Sequence, residues 1–231
     1  LIFKSGLGVY IANAADISVV NKISEKADPI ATPTQSGLYR LSRPTETSTT
    51  LAVREFIGGT QSVIDSKGCV VDSISFDFSA GQLVKASTSL SGIAFSNLEG
   101  ITPLNSLGCV DAKAFVTKSA KFIVDGVALA ASGVTLEISN EVSDRNYISS
   151  NGVGNKVVVG KSVTLNYTLD FVNTNELTKM KNNSKAEIFI ELINSAGDKV
   201  SIYLPVVSYS SVELGNDGGV KTLSISSMAY N

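Results

Sequence analysis

The sequence predicts a mainly β fold, a β-sandwich or barrel-like body with one short flanking helix. Three observations lead there. Apolar and polar residues alternate with period two in successive stretches, turn signals separate those stretches at close intervals, and only one stretch carries helix-start signals. Domain division follows the same reading. Residues 1–50 form a loop-rich N-terminal segment, and residues 51–231 form the β domain.

The first 50 residues carry the weakest pattern. Residues 7–20 are apolar and Ala-rich around Gly6 and Gly8, compatible with a short helix or a strand. Pro29 and Pro33 then interrupt any regular element, because a residue before proline avoids helical backbone angles. Residues 38–43 read as a short strand ended by Pro44. Beyond them Ile74, Phe76 and Phe78 alternate with Ser73, Ser75, Asp77 and Ser79, a half-buried strand. A turn at Ala80-Gly81-Gln82 leads to Val84, Ala86, Thr88 and Leu90, alternating with Lys85, Ser87 and Ser89. Asp125-Gly126 marks a hairpin, because both residues tolerate the positive φ of a type I′ turn.

Val134, Leu136 and Ile138 alternate with Thr135, Glu137 and Ser139. A long polar loop is expected over residues 140–156. The clearest strand follows, with Val163, Leu165, Tyr167, Leu169 and Phe171 facing one way and Ser162, Thr164, Asn166, Thr168 and Asp170 the other. A one-residue slip would expose its whole apolar set, so its register is firmly specified. Asn173 and Glu176 have capping-box spacing for the helix, with Leu177 and Met180 as its buried side. Strands over residues 186–193 and 200–207, joined by a turn at 194–198, come next; the first reads as covered on both faces. An Asp/Gly-rich loop at 216–219 precedes a last strand over 220–228.

Composition excludes more than it includes. The chain has no histidine, which removes Ser-His-Asp and Cys-His nucleophile pairs and the common histidine-containing zinc sites. Nineteen basic against 21 acidic residues, without a basic stripe, argue against gripping nucleic acid. No apolar run reaches the ~18 residues of a membrane helix. Cys69 and Cys109, each in a Gly-Cys-Val triplet, are too few for a disulfide framework and read as small buried hydrophobes, reduced. The chain opens at Leu1 with no signal-peptide pattern, and further sequence before it is expected.

Chemical motifs are absent on the same reading. Gly6-Leu-Gly8 starts like a dinucleotide fingerprint, but Ile11 stands at the third glycine position and no strand–turn–helix surrounds it. Glu187 and Glu191 lie about 13 Å apart on one strand, which reads as a solvated strand face. No catalytic residue, metal ligand or cofactor site is predicted.

The order of elements nevertheless has a counterpart. Residues 68–81, Gly-Cys-Val-Val-Asp-Ser-Ile-Ser-Phe-Asp-Phe-Ser-Ala-Gly, with a strand ending Leu90-Ser91-Gly92, resemble the tail tube (major tail) proteins of long-tailed bacteriophages. Residues 134–140, the loop with Arg145, Gly160 and the strand over 163–171 look like that family's next elements. The turn at Gly197, the run into Pro205-Val206-Val207, the loop at 216–219 and the last strand complete a resemblance over roughly residues 38–230.

The resemblance implies a structural subunit that assembles with itself into hexameric rings stacked as a tube. The lumen would conduct the genome into the host cell, DNA passing without specific binding. It also implies other tail proteins at the tube ends, no cofactor, no membrane partner, a place in the virion tail and assembly in the host cytoplasm. If a tube forms, one polar strand face per subunit lines it, and a ring repeats every side chain around the axis. Asp77, Thr164, Asn166, Thr168 and Asp170 are therefore the expected lumen residues, in preference to Lys85. The loop residues Ser143, Asp144, Arg145, Asn146, Tyr147 and Asn151 are expected to reach a neighbouring subunit. A β-rich surface adhesin module or the tube subunit of a related injection system is the alternative; an enzyme ranks third.

Overall fold

The computed structural model describes residues 8–12, 37–41, 50–57, 62–98, 113–117, 120–148 and 153–230. β1 (Gly8–Ala12) and β2 (Gly37–Leu41) pair antiparallel as a two-stranded sheet, so the ambiguous Ala-rich opening contains a strand. The remaining strands belong to one eleven-stranded sheet. They are β3 (Leu51–Ile57), β4 (Ser62–Ser79), β5 (Lys85–Ser91), β6 (Ala94–Leu98), β7 (Lys121–Val124), β8 (Val127–Ala128), β9 (Ala131–Asn146), β10 (Val153–Asp170), β11 (Lys185–Ile193), β12 (Lys199–Asp217) and β13 (Val220–Ala229). The path runs β3-β4-β9-β10-β13-β12-β11-β7-β8, with β5 and β6 also pairing β4. The expected β-rich fold is what forms.

Two long strands make the sheet more than a flat meander. β4 pairs β3 and β6 through its first half, then β5 and β9 through its second. Gly68 sits between the halves at φ +62, a left-handed angle, and a Cβ there would meet Ile93 Cδ1 at 2.7 Å. β12 likewise pairs β11 up to Ser208 and β13 from Val207 onward, with a register shift at Tyr209/Ser211. The second half of the sheet thereby folds over the first. Phe122 of β7 packs on Tyr167 of β10, ring centroids 4.9 Å apart, although β13, β12 and β11 lie between them in the strand order. A strap over residues 113–117 adds closure, bridging Leu83 to Val116 and Phe115 to Asn194.

The apolar sets predicted by alternation meet inside this fold. Ile74 pairs Ile138, which pairs Val163; Phe76, Leu136 and Leu165 form the next row; Phe78, Val134, Tyr167 and Ile225 the one after. Leu165, Ile188 and Val207 have no exposed surface, each contributing roughly 1.5–3 kcal/mol by leaving water. β11 is covered on both faces, as its sequence indicated. Its covering also buries Glu191 completely, with the Lys199 ammonium 3.9 Å away, so the expected solvated face is wrong for this residue. Glu187 is half-buried and accepts a hydrogen bond from the Tyr203 hydroxyl at 2.9 Å.

The helix α1 (Asn175–Lys181) starts differently from the capping box. Thr174 is its N-cap, without a side-chain bond, and the Asn173 side-chain Oδ1 accepts the Asn175 N–H. Glu176 turns inward, buried, while Met180 is exposed and Leu177 packs on the core. The reason is an available partner: the Tyr209 hydroxyl donates to Glu176 Oε2, and the Tyr167 hydroxyl donates to Tyr209 at 3.1 Å. Lys179 joins Glu176 Oε1 at 3.0 Å and Asp125 Oδ2 at 2.7 Å, tying the helix to the β7–β8 turn. That turn has Asp125 and Gly126 at φ 49 and 79, as the Asp-Gly pair predicted. Cys69 is buried and free; Cys109 lies outside the described residues.

Candidate functional site

Strand alternation and register place the polar sets on one surface. Asp77 of β4 pairs Thr135 of β9, which pairs Asn166 of β10, which pairs Ser226 of β13, which pairs Ser211 of β12. Ser75, Glu137 and Thr164 form an adjacent row, and Ser79, Gly133, Thr168, Ser224 and Glu213 another. Asp170 pairs Thr222 at the end of the face. All five expected lumen residues therefore lie on one face, polar but for the exposed Met228 opposite Thr164, and backed by the apolar rows of the core.

The register also corrects the ranking among them. Lys85 is the direct cross-strand partner of Asp77, with Ser87 opposite Ser75 and Ser89 opposite Ser73. Any surface that presents Asp77 presents Lys85 beside it. Across the body of the sheet, short of the arm, the face carries Asp77, Glu137, Asp170, Glu213 and Asp217 and, among the described residues, the one cation Lys85 of β5. Asn166 and Asp170 are exposed; Asp77, which accepts a hydrogen bond from the Ser79 hydroxyl at 2.8 Å, Thr164 and Thr168 are half-exposed.

Members on three strands were missed. Thr135, Glu137 and Ser139 were visible as an alternating strand, but nothing in the sequence placed β9 between β4 and β10. Thr222, Ser224 and Ser226 were masked by Ser227, a polar residue on the core face whose hydroxyl is satisfied by the Leu165 carbonyl at 2.7 Å. Glu213 lay on a strand read as ending at Val207; β12 runs on to Asp217, and the expected loop at 216–219 is a tight turn at Gly218-Gly219.

The second feature corrects a loop into a ladder. Residues expected to form a long loop pair as strands: Asn146 with Val153, Arg145 with Asn155, Asp144 with Lys156, Ser143 with Val157 and Val142 with Val158. Backbone pairing needs no apolar alternation, and composition alone made this segment look unstructured. β13 stops opposite Val163, so β9 and β10 continue past it as a two-stranded arm. Lys156, buried, locks the arm through its ion pair with Asp144 at 2.5 Å. Burial raises the pKa of the nearby Asp72 carboxyl, Lys156 lowers it, and Asp144 raises it again; the net shift is upward. Ser143, Asp144, Arg145, Asn146 and Tyr147 thus lie on the arm and at its tip, and Asn151 lies outside the described residues.

Among the described residues no group of three or more Cys, Asp or Glu side chains is placed to hold a metal, and no helix is long and apolar enough to cross a membrane. A search of curated proteins returns no match. The family model described as phage tail tube protein matches residues 13–229, nearly the whole chain. With a β-rich fold, a broad polar sheet face and a projecting arm, the chain belongs to the phage tail tube protein family and is a structural subunit of the tail tube.

Proposed function

We propose that the subunit forms hexameric rings that stack into a tube, with the β5-β4-β9-β10-β13-β12 polar face turned to the lumen. The observation that carries this reading is the continuity of that face: side chains from six strands, rich in serine and threonine, with five carboxylates against one lysine. DNA slides past such a surface because there is little to neutralise its phosphates, and each neutralised phosphate would add affinity through counterion release. Asp77, Thr164, Asn166, Thr168 and Asp170 line the channel, and Lys85 is offset by its partner Asp77. The arm, through residues 143–147 and Asn151, contacts neighbouring subunits.

The tube passes the genome into the host cell without binding it specifically, without catalysis and without a cofactor. Other tail proteins close its ends, and assembly takes place in the host cytoplasm. Residues 1–50 act as a segment separate from the 51–231 β domain. Phage carrying Asp77→Lys with Asn166→Lys tests the lumen: tubes should form while DNA ejection slows at low salt. Normal ejection at low salt would place both residues elsewhere.

A further inference from the structure

The two ends of β10 carry opposite and complementary surfaces. At one end residues 153–162 run beyond β13; Lys156 and Val158 are buried there, and the outer residues 144–148 of the arm are exposed. Its tip presents Ile148, fully exposed, and Tyr147, half-exposed, beside the exposed cation Arg145. Asp144 is already neutralised by Lys156, and Glu141 sits at the arm's base opposite Gly160. Among the described residues the outer arm thus presents two large apolar side chains and one unneutralised positive charge.

At the other end, Val172 is 84% and Val220 54% exposed. They are brought together by the Phe171 N–H, which donates to the Lys221 carbonyl at 2.8 Å. Asp170 pairs Thr222 and Asp217 pairs Val220, so alternation places both exposed carboxylates on the same face as the valines. The Lys221 side chain alternates to the opposite face. This end is an apolar step flanked by two negative charges.

We propose that the arm tip of one copy docks on the Val172/Val220 step of the next, Ile148 and Tyr147 on the valines and Arg145 between Asp170 and Asp217. Tip-to-tip contact would oppose two arginines, and base-to-base contact would oppose four aspartates. Head-to-tail contact satisfies both charges, and it does not close, so it propagates along an axis. Each contact is small. A lone subunit gains little from one, whereas a ring makes all of its contacts together and multiplies their effect through avidity. Stacking thus waits for ring formation.

The inference rests on the tube reading, and the experiment separates the two. Ile148→Cys with Val220→Cys, in a Cys109→Ser background, is assembled and oxidised. A covalent ladder on non-reducing gels is expected from the double variant and none from either single variant, since a disulfide needs Cα atoms within about 7 Å. Tubes of the double variant without a ladder overturn the docking while leaving the tube reading intact. Failure of the unmodified protein to form tubes overturns the tube reading itself. Charge exchange covers the case in which the cysteines block assembly. Arg145→Glu and Asp217→Arg should each reduce tube yield at least tenfold, and together restore it to within about twofold. Unaffected tubes in Arg145→Glu, or no rescue in the pair, would overturn the proposal.

Discussion

Replacing Tyr209 by Phe removes one oxygen from the centre of a buried chain. Its hydroxyl accepts from Tyr167 at 3.1 Å and donates to Glu176, and all three residues are at least nine-tenths buried. The bond to the carboxylate carries charge and contributes about 1.5–3 kcal/mol, and the orphaned Tyr167 hydroxyl adds about 1 kcal/mol or more. Tyr209→Phe should therefore lose about 2–4 kcal/mol, while Tyr167→Phe, at the end of the chain, should lose only about 1 kcal/mol. Since Glu176 anchors α1, the helix should loosen first, with amide exchange rising in residues 175–181 before the strands. Urea unfolding of the three proteins gives the comparison, provided the slope m is unchanged. A Tyr209→Phe loss under about 0.5 kcal/mol, or one equal to that of Tyr167→Phe, would refute the idea that this hydroxyl holds the helix on the sheet.

Alkali should act through the same residues. Burial chiefly holds the Tyr167 and Tyr209 hydroxyls above their ordinary value of 10.0. The folded chain thus keeps protons that the unfolded chain loses, so stability is intact below pH 10 and falls above it by about 1.4 kcal/mol per pH unit for each tyrosine. Burial pulls the Lys179 ammonium down, but its bonds to Asp125 and Glu176 outweigh this and leave it above 10.5, a contribution lost at still higher pH. Equal urea midpoints at about pH 9 and about pH 11 would contradict this. Gly68→Ala should cost about 1–2 kcal/mol from the left-handed backbone, plus the displacement of Ile93. An unchanged melting temperature would show that β4 does not need its bend there.

How much of this was readable depended on whether a residue's fate was local. The strand over 163–171 and the Asp125-Gly126 turn were legible because alternation and positive φ are properties of neighbours in sequence. The arm was not: its ladder joins Ser143 to Val157 by backbone atoms alone, and no side-chain pattern reports that. Glu191 was misread because its burial comes from elements distant in sequence. The strand read as ending at Val207 continues as β12, which exchanges β11 for β13 as its partner there. The five lumen residues were picked strand by strand, but their union into one face, with Lys85 opposite Asp77, depends on strand order. That order is set by the fold-over that brings Phe122 onto Tyr167.

The direct test of the lumen is the ejection rate of phage carrying Asp77→Lys and Asn166→Lys, measured across ionic strength. Two added lysines repeat around every ring and along every ring of the tube, so the attraction for DNA accumulates with length. Screening shortens the reach of each charge from about 30 Å at 0.01 M salt to about 3 Å at 1 M. The account predicts particles with normal tails that eject slowly or incompletely at low salt and recover toward the unmodified rate as salt rises. Ejection at the unmodified rate throughout, from tails of normal length, would contradict it and put the polar face on the outside of the tube.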